Sequence, residues 1–194
     1  LLEALNLRQP VVLTGLSMGG PITAGFTVRH PDSVVANILI DPAGTLPIEL
    51  GALGAARLPL VGELALGLFG GEQLVKNIAA DFFDPSQGEH FQERYRKQMR
   101  FAGFRRSILS TLRNGMLNGF QEEYRNLGRL NKPTLLLWGS EDRTVPFAHS
   151  TDLKKLLPHC EFHAVEGCSH IPHYEKPAVV NPLLLNFLND LPAG

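Results

Sequence analysis

A serine between glycines is the first residue of this chain whose setting could support chemistry. Ser17 stands in the run 15–19, G-L-S-M-G, which directly follows an apolar run and opens a helical segment. This strand–turn–helix setting is that of a nucleophile elbow, in which small flanking residues let strand and helix pass closely. The sequence therefore predicts Ser17 as a nucleophile, with the Met18 amide as oxyanion donor.

A serine hydroxyl is a poor nucleophile without a general base, and the chain contains seven histidines. His170 lies in the loop after the last predicted strand, so it is expected at the same edge of a parallel sheet as Ser17. His173, in the same loop, is the alternative base. Structural roles are expected for the remaining histidines, which fall at helix ends, in the central segment or in a strand: His30, His90, His149, His159 and His163.

The base in turn needs a carboxylate that fixes its tautomer and stabilises the imidazolium ion. Asp142 follows the third predicted strand, and the chain order serine, aspartate, histidine is typical of this arrangement. Glu141 is the adjacent alternative and is expected to face solvent. Asp41, which follows the second predicted strand, is a further alternative, although its expected task is to bond nearby backbone in a turn.

The elements that must position these side chains are short runs rich in β-branched residues and leucine. Runs with little alternation are typical of strands buried on both faces of a parallel sheet. Helical segments separate the runs, which is the pattern of an α/β protein. The predicted strands are Val11–Thr14, Val35–Ile40, Thr134–Trp138 and Phe162–Val165.

The strand–helix alternation lapses in the middle of the chain, where helical character and charge clusters dominate. We interpret residues 45–126 as a helical cap inserted into a sheet domain that is formed by residues 1–44 and 127–194. Outside the cap, residues 1–7 are predicted as the end of a helix, and further helices are predicted over 18–29, 150–157 and 178–188.

Composition narrows the function classes further. The chain is 44% hydrophobic and 19% charged, which indicates a globular protein, and its net charge of −1 offers no basic face for nucleic acid. The longest apolar stretch, 51–71, is interrupted by Arg57, Pro59 and Glu63, so no membrane span is expected. Two cysteines cannot form a disulfide framework, and we expect a reduced, cytoplasmic protein.

The three candidate motifs resemble those of the α/β-hydrolase fold superfamily. Residues 15–20 resemble its nucleophile elbow, 139–146 its acid loop and 170–177 the segment around its base. The resemblance is to the branch with a helical cap between the sixth and seventh strands. That branch includes carboxylesterases, enol-lactonases and hydrolases that cleave carbon–carbon bonds in meta-cleavage products.

The resemblance also implies an eight-stranded sheet, of which this chain would supply strands five to eight. The loop that carries the second oxyanion donor in such enzymes would then be missing, and the first strand here would be a bare apolar edge. On this reading the chain is a fragment, with an N-terminal complementing segment or a second copy of itself as a partner. A non-catalytic remnant is the alternative.

The predicted reaction is hydrolysis of a small, largely apolar ester or lactone through an acyl-enzyme on Ser17. Leu16 stands where the carbon–carbon hydrolases tend to have asparagine, which favours esters, while cleavage of meta-cleavage-type dienoates stays the alternative. Neither a metal ion nor an organic cofactor is predicted. Apolar residues are expected to shape the acyl pocket, with Leu16, Phe69, Phe82, Phe83 and Val145 as its candidates.

Overall fold

The centre of the protein is a parallel sheet in which each strand pairs with the next one in sequence. The strands are β1 (Val11–Leu16), β2 (Val34–Ile40), β3 (Thr134–Gly139) and β4 (Glu161–Val165). The predicted α/β class and the four predicted strands are therefore confirmed. The computed structural model describes residues 2–7, 9–47, 58, 60–65, 71–79, 81–115 and 119–192.

The helices outside the central segment end within two residues of their predicted bounds. They are α1 (Gly19–Arg29), α7 (His149–Leu156) and α9 (Pro177–Asn189), whereas the short α8 (Pro172–Glu175) was not predicted. The start of the chain differs from the prediction, because the helix expected over 1–7 is only a single 3₁₀ turn at Glu3–Leu5. Asn6 ends this turn, since its φ of +53° lies in the left-handed region.

The described chain between β2 and β3 consists of helices joined by turns and bends. Its helices are α2 (Val61–Ala65), α3 (Gly71–Ala79), α4 (Glu89–Gln98), α5 (Phe104–Arg113) and α6 (Gln121–Arg129). The limits 45–126 for a cap stay a prediction. Helix α6 crosses the second limit, and its residues Tyr124 and Leu127 pack in the same core cluster as Ala24 of α1.

The core lies in two layers, one on each face of the sheet. Successive side chains of a strand point to opposite faces. Leu136 and Trp138 of β3 accordingly pack beneath α1, α6 and α7, whereas Leu135 and Leu137 pack beneath α9. All residues of β3 are buried, which explains why its sequence shows no polar alternation.

A groove of about 620 Å³ runs between β1, α1 and the start of the chain. Leu13, Ile22 and Phe26 are among its lining residues. In the described part of the chain β1 pairs with β2 alone, so its other edge and this groove are uncovered. None of the helices described is both long and apolar enough to cross a membrane.

A buried tyrosine connects helix α6 to the turn that follows β2. The Tyr124 hydroxyl donates a 2.6 Å hydrogen bond to the Ala43 carbonyl, and the Ala43 amide donates to the Ser17 carbonyl at 3.0 Å. The tyrosine is fully buried, so no solvent can replace its hydroxyl.

We expect Tyr124→Phe to lower the free energy of unfolding by about 1–3 kcal/mol, because it leaves the buried Ala43 carbonyl without its donor. Urea unfolding measures this change as a lower midpoint at constant slope. Tyr174→Phe is the matched control, since the Tyr174 hydroxyl has no hydrogen bond with the described residues and should shift stability by less than about 0.5 kcal/mol. Equal effects of the two substitutions would contradict the role given to the Tyr124 hydroxyl.

Candidate active site

Ser17 sits in a sharp turn between β1 and α1. Its φ of +52° is unusual for a residue with a Cβ atom, and backbone hydrogen bonds hold it there. The Ser17 amide donates to the Ile40 carbonyl at 3.0 Å, while its carbonyl accepts from the amides of Gly20 at 2.9 Å and Ala43 at 3.0 Å. This strained turn at the end of a strand is the geometry predicted for a nucleophile elbow.

Gly15 allows the close approach of strand and helix that the turn requires, whereas a Cβ atom on Gly19 would meet no described heavy atom within 4 Å. A Cβ atom on Gly15 would lie 2.4 Å from the Gly19 carbonyl oxygen and 2.5 Å from Thr23 Oγ1. Met18 is the N-terminal cap of α1, so its amide lies at the helix end where backbone donors lack intrahelical acceptors. The predicted oxyanion donor therefore stands in a setting that favours negative charge.

His170 and Asp142 form a buried pair in the loops after β4 and β3. His170 Nδ1 lies 2.8 Å from Asp142 Oδ2, and each residue is only 5% exposed. Asp142 Oδ1 accepts from the amides of Thr144 at 2.8 Å and Val145 at 2.9 Å, which fixes the carboxylate on its own loop. Because carboxyl ends of parallel strands meet at one edge, this pair and Ser17 share the same edge of the sheet.

The alternative residues lie in different settings. His173 Nδ1 is buried without a hydrogen-bond partner among the described residues, and burial together with nearby His170 lowers the pKa of His173. Glu141 is exposed, as expected. Asp41 is fully buried beside the pair, and its Oδ1 accepts from the Gly139 amide at 2.8 Å. The structure thus gives His170, rather than His173, a carboxylate partner.

The sequence matches a known protein family over nearly its whole length. The sequence profile described as "Alpha/beta hydrolase family" matches residues 1–183. The chain belongs to this family. It is 28% identical over 194 residues to a 2-hydroxy-6-oxo-6-phenylhexa-2,4-dienoate hydrolase of Comamonas testosteroni, with 97% of this chain matched. The match covers 65% of that relative, so the chain spans less than two thirds of its length.

Solved structures of the same fold show how this alpha/beta hydrolase chain is built. A meta-cleavage product hydrolase of Pseudomonas fluorescens IP01 superposes with a TM-score of 0.77 at 20% identity, over 97% of this chain and 68% of that one. A thermophilic esterase of Thermogutta terrifontis superposes with a TM-score of 0.77 at 21% identity, over 98% and 68%. These likenesses concern the fold.

A loop after α3 joins the central segment of this alpha/beta hydrolase to the predicted base and acid loops. The Asp81 carbonyl accepts from the His170 amide at 3.0 Å, and its carboxylate accepts from the Thr144 hydroxyl at 2.5 Å. Burial raises the pKa of Asp81, and the Thr144 hydrogen bond opposes that rise. Nothing in the sequence pattern around Asp81 predicts this contact, because only the tertiary fold brings residue 81 to these loops.

Glu175 makes a second connection between the same regions. Its Oε1 accepts from the Ser169 amide at 2.9 Å, and its Oε2 accepts from the Phe83 amide at 2.7 Å. Ser169 directly precedes His170, so Glu175 holds the base loop. The segment 170–177 contained this residue as a motif position, but its partners could not be read from the sequence.

The five predicted pocket residues lie in different environments, and their role stays a prediction. Val145 is 1% exposed and packs in the core with Trp138, whereas Phe83 is 56% exposed. Phe82 is buried against the rings of Phe91 and Tyr174. Leu16 is half-buried at the end of β1, and Phe69 lies outside the described residues.

Among the described residues, donor atoms of Asp41, Asp142 and His170 could hold a cation, and they lie within 4.8 Å of one another. His170 Nδ1 already faces Asp142, and Asp142 Oδ1 already accepts from two amides. These directions are those of a hydrogen-bonded pair with a second buried carboxyl group beside it.

The Asp41 carboxyl group has a strongly perturbed acidity. Burial, followed by the nearby Asp142 carboxylate, raises the pKa of Asp41 from 3.8 to about 10. The folded state therefore holds a proton that the unfolded chain releases above about pH 4. Because the unfolded state binds fewer protons, this group lowers the stability of the fold as the pH rises between those two values.

We accordingly expect Asp41→Asn to gain stability relative to the wild type as the pH increases. The gain should be small near pH 4 and grow by at most about 1.4 kcal/mol for each pH unit, the limit for one proton. Urea unfolding of both proteins at several pH values between about 5 and 8 measures it. Parallel curves of unfolding free energy against pH would contradict a protonated Asp41.

Proposed function

We propose that this chain carries the catalytic centre of a serine hydrolase that cleaves small, largely apolar esters or lactones. The contact of His170 Nδ1 with Asp142 Oδ2 at 2.8 Å, on the sheet edge where Ser17 occupies its strained turn, is the observation that carries the proposal. A serine at an elbow and an imidazole oriented by a buried carboxylate are the components that acyl transfer requires.

The reaction begins when the Ser17 hydroxyl attacks the substrate carbonyl and His170 accepts its proton. The buried Asp142 carboxylate holds the imidazole in the required tautomer and stabilises the resulting imidazolium ion. The Met18 amide donates to the oxyanion at the N-terminus of α1. His170 then returns the proton to the leaving alcohol and activates the water that hydrolyses the acyl-enzyme.

A second candidate is hydrolysis of a carbon–carbon bond in a dienoate. It is favoured by the 28% identical relative from Comamonas testosteroni, whose name gives 2-hydroxy-6-oxo-6-phenylhexa-2,4-dienoate as its substrate. Leu16, beside the nucleophile in place of the asparagine expected in that class, favours the ester instead. Both reactions use the same serine, base and acid.

A fluorophosphonate tests the proposed function directly, because it phosphonylates a serine only when a base activates it. After reaction, digestion and peptide mass analysis should locate the adduct on Ser17 in the native chain and on no serine in the urea-unfolded chain. A folded chain without an adduct would overturn the proposal in favour of a non-catalytic remnant. Comparing kcat/KM for p-nitrophenyl butyrate and for the phenyl dienoate then decides between the two substrates.

A further inference from the structure

Asp41 makes one hydrogen bond as an acceptor and leaves its second oxygen unused. Its Oδ1 accepts from the Gly139 amide at 2.8 Å, at the start of the acid loop. Its Oδ2 is buried and receives no hydrogen bond from the described residues. A carboxylate oxygen buried in this way is costly unless it carries a proton that it can donate.

The neighbouring Asp142 differs from Asp41 in the donors it receives. It accepts from the amides of Thr144 and Val145 and faces the ring of His170, and these contacts favour its charged form. Oxygen atoms of the Asp41 and Asp142 carboxyl groups lie within 4.8 Å of each other. Two buried carboxyl groups at this distance do not ionise together, so one of them holds a proton. Asp142 receives hydrogen bonds from two amides and faces His170, whereas Asp41 accepts from one amide, so the negative charge belongs on Asp142 and the proton on Asp41.

We propose that Asp41 is a positioning residue, whose neutral carboxyl group donates a hydrogen bond from Oδ2 to Asp142 and holds that carboxylate against His170. The inference rests on the proposed function, since it assumes that Asp142 orients the base. Asp41 touches neither the base nor the nucleophile in any described hydrogen bond, and it acts through Asp142.

The other ionisable groups around Asp41 agree with a neutral carboxyl group. Glu175 raises the pKa of Asp41 through its negative charge, and the thiol of Cys168 is also close enough to be affected. Glu175 is committed to the amides of Ser169 and Phe83. The imidazole of His170 is the nearby group that gains positive charge during the proposed reaction, and it faces Asp142.

Two substitutions of Asp41 test whether its hydrogen bonds to Gly139 and Asp142 are what matters. Asparagine keeps both hydrogen bonds, because its amide oxygen can accept from Gly139 and its amide nitrogen can donate to Asp142. Glycine removes both, and it tolerates the left-handed φ of +43° at this position, where alanine would be strained. Both variants are compared with the wild-type chain in p-nitrophenyl butyrate hydrolysis and in the rate of fluorophosphonate labelling.

We expect Asp41→Asn to react within about threefold of the wild-type rate and Asp41→Gly to react roughly 10- to 100-fold more slowly, chiefly in kcat. In an Asp142→Asn background, Asp41→Gly should cost less than about threefold more, because the two residues act as one unit. A loss that is equally large in both backgrounds would overturn the proposal and indicate a structural role. An Asp41→Asn variant as slow as Asp41→Gly would also overturn the proposal. Full activity of the Asp142→Asn chain would overturn it as well, because Asp41 would then be the acid that orients His170.

A spectroscopic measurement tests the proton without any reaction. In carbon-13-labelled aspartate samples, infrared difference spectra between wild type and Asp41→Asn should contain the carbonyl stretch of one protonated carboxylic acid at neutral pH. Absence of this band, or bound metal ions whose removal by EDTA slows labelling, would overturn the proposal even if the serine reacts. A chain that shows the band but never labels would instead contradict the proposed function.

Discussion

Replacing Ser17 by alanine is expected to remove nearly all hydrolysis, with a loss of about 10⁴- to 10⁶-fold in kcat. In the proposed mechanism His170 and Asp142 act on the substrate only through Ser17, so the loss should match that of removing all three residues. Steady-state kinetics with p-nitrophenyl butyrate measure it. Ser86→Ala is the control, since Ser86 is an exposed serine and should keep wild-type activity.

Stability provides a second check on the same position. Ser17 has a left-handed φ of +52°, which glycine adopts more easily than serine or alanine. Ser17→Gly should therefore be more stable than Ser17→Ala by about 1 kcal/mol, while both are inactive. Substantial activity in either variant would contradict the nucleophile assignment, and equal stability would contradict the strained turn.

Gly139→Ala is expected to prevent the chain from reaching its native fold, or to destabilise it by more than about 4 kcal/mol. A Cβ atom at this position would lie 1.9 Å from the Ser169 carbonyl oxygen and 2.6 Å from that of Cys168, and both contacts are with backbone. Relief requires β3 to move away from the base loop, which would also break the hydrogen bond from the Gly139 amide to Asp41.

Gly19→Ala is the matched control, because a Cβ atom there would meet no described heavy atom within 4 Å. Gly19 begins α1, where alanine is expected to be neutral or to stabilise by about 0.5–1 kcal/mol. Circular dichroism and urea unfolding of both variants test the contrast. A well-folded Gly139→Ala chain with wild-type stability would show that the base loop does not pack on β3 as described.

The sheet could be predicted from the sequence because each strand is marked by a short, continuous apolar run. The run 134–138 is apolar without alternation, and it became β3, which is buried throughout. Glycine before and after Ser17 likewise predicted a turn that needs close approach, and Gly15 shows the contact. The prediction of a helix end over 1–7 was wrong, since Asn6 adopts a left-handed φ and ends the turn there.

The environment of the site depends on contacts between distant segments, which a single sequence does not reveal. Asp81 is more than 60 residues from Thr144 and His170 in the sequence, and it contacts them only in the folded chain. The hydrophobicity of a residue in the sequence also does not show whether it lines a pocket, packs in the core or lies on the surface. Val145 and Phe83 were equally good apolar candidates, yet one is in the core and the other is largely exposed.

The order of the strands has a consequence for how this protein can change over evolution. Strands β2 and β3 are parallel neighbours, with Ile40 opposite Leu137, so the long segment between them leaves the sheet at its carboxyl edge and re-enters it at its amino edge. The entropy of closing such a loop grows only with the logarithm of its length. Insertions or deletions in the turns of this segment can therefore accumulate at little thermodynamic cost, provided that α6 stays packed in the core and Asp81 keeps its contacts with Thr144 and His170.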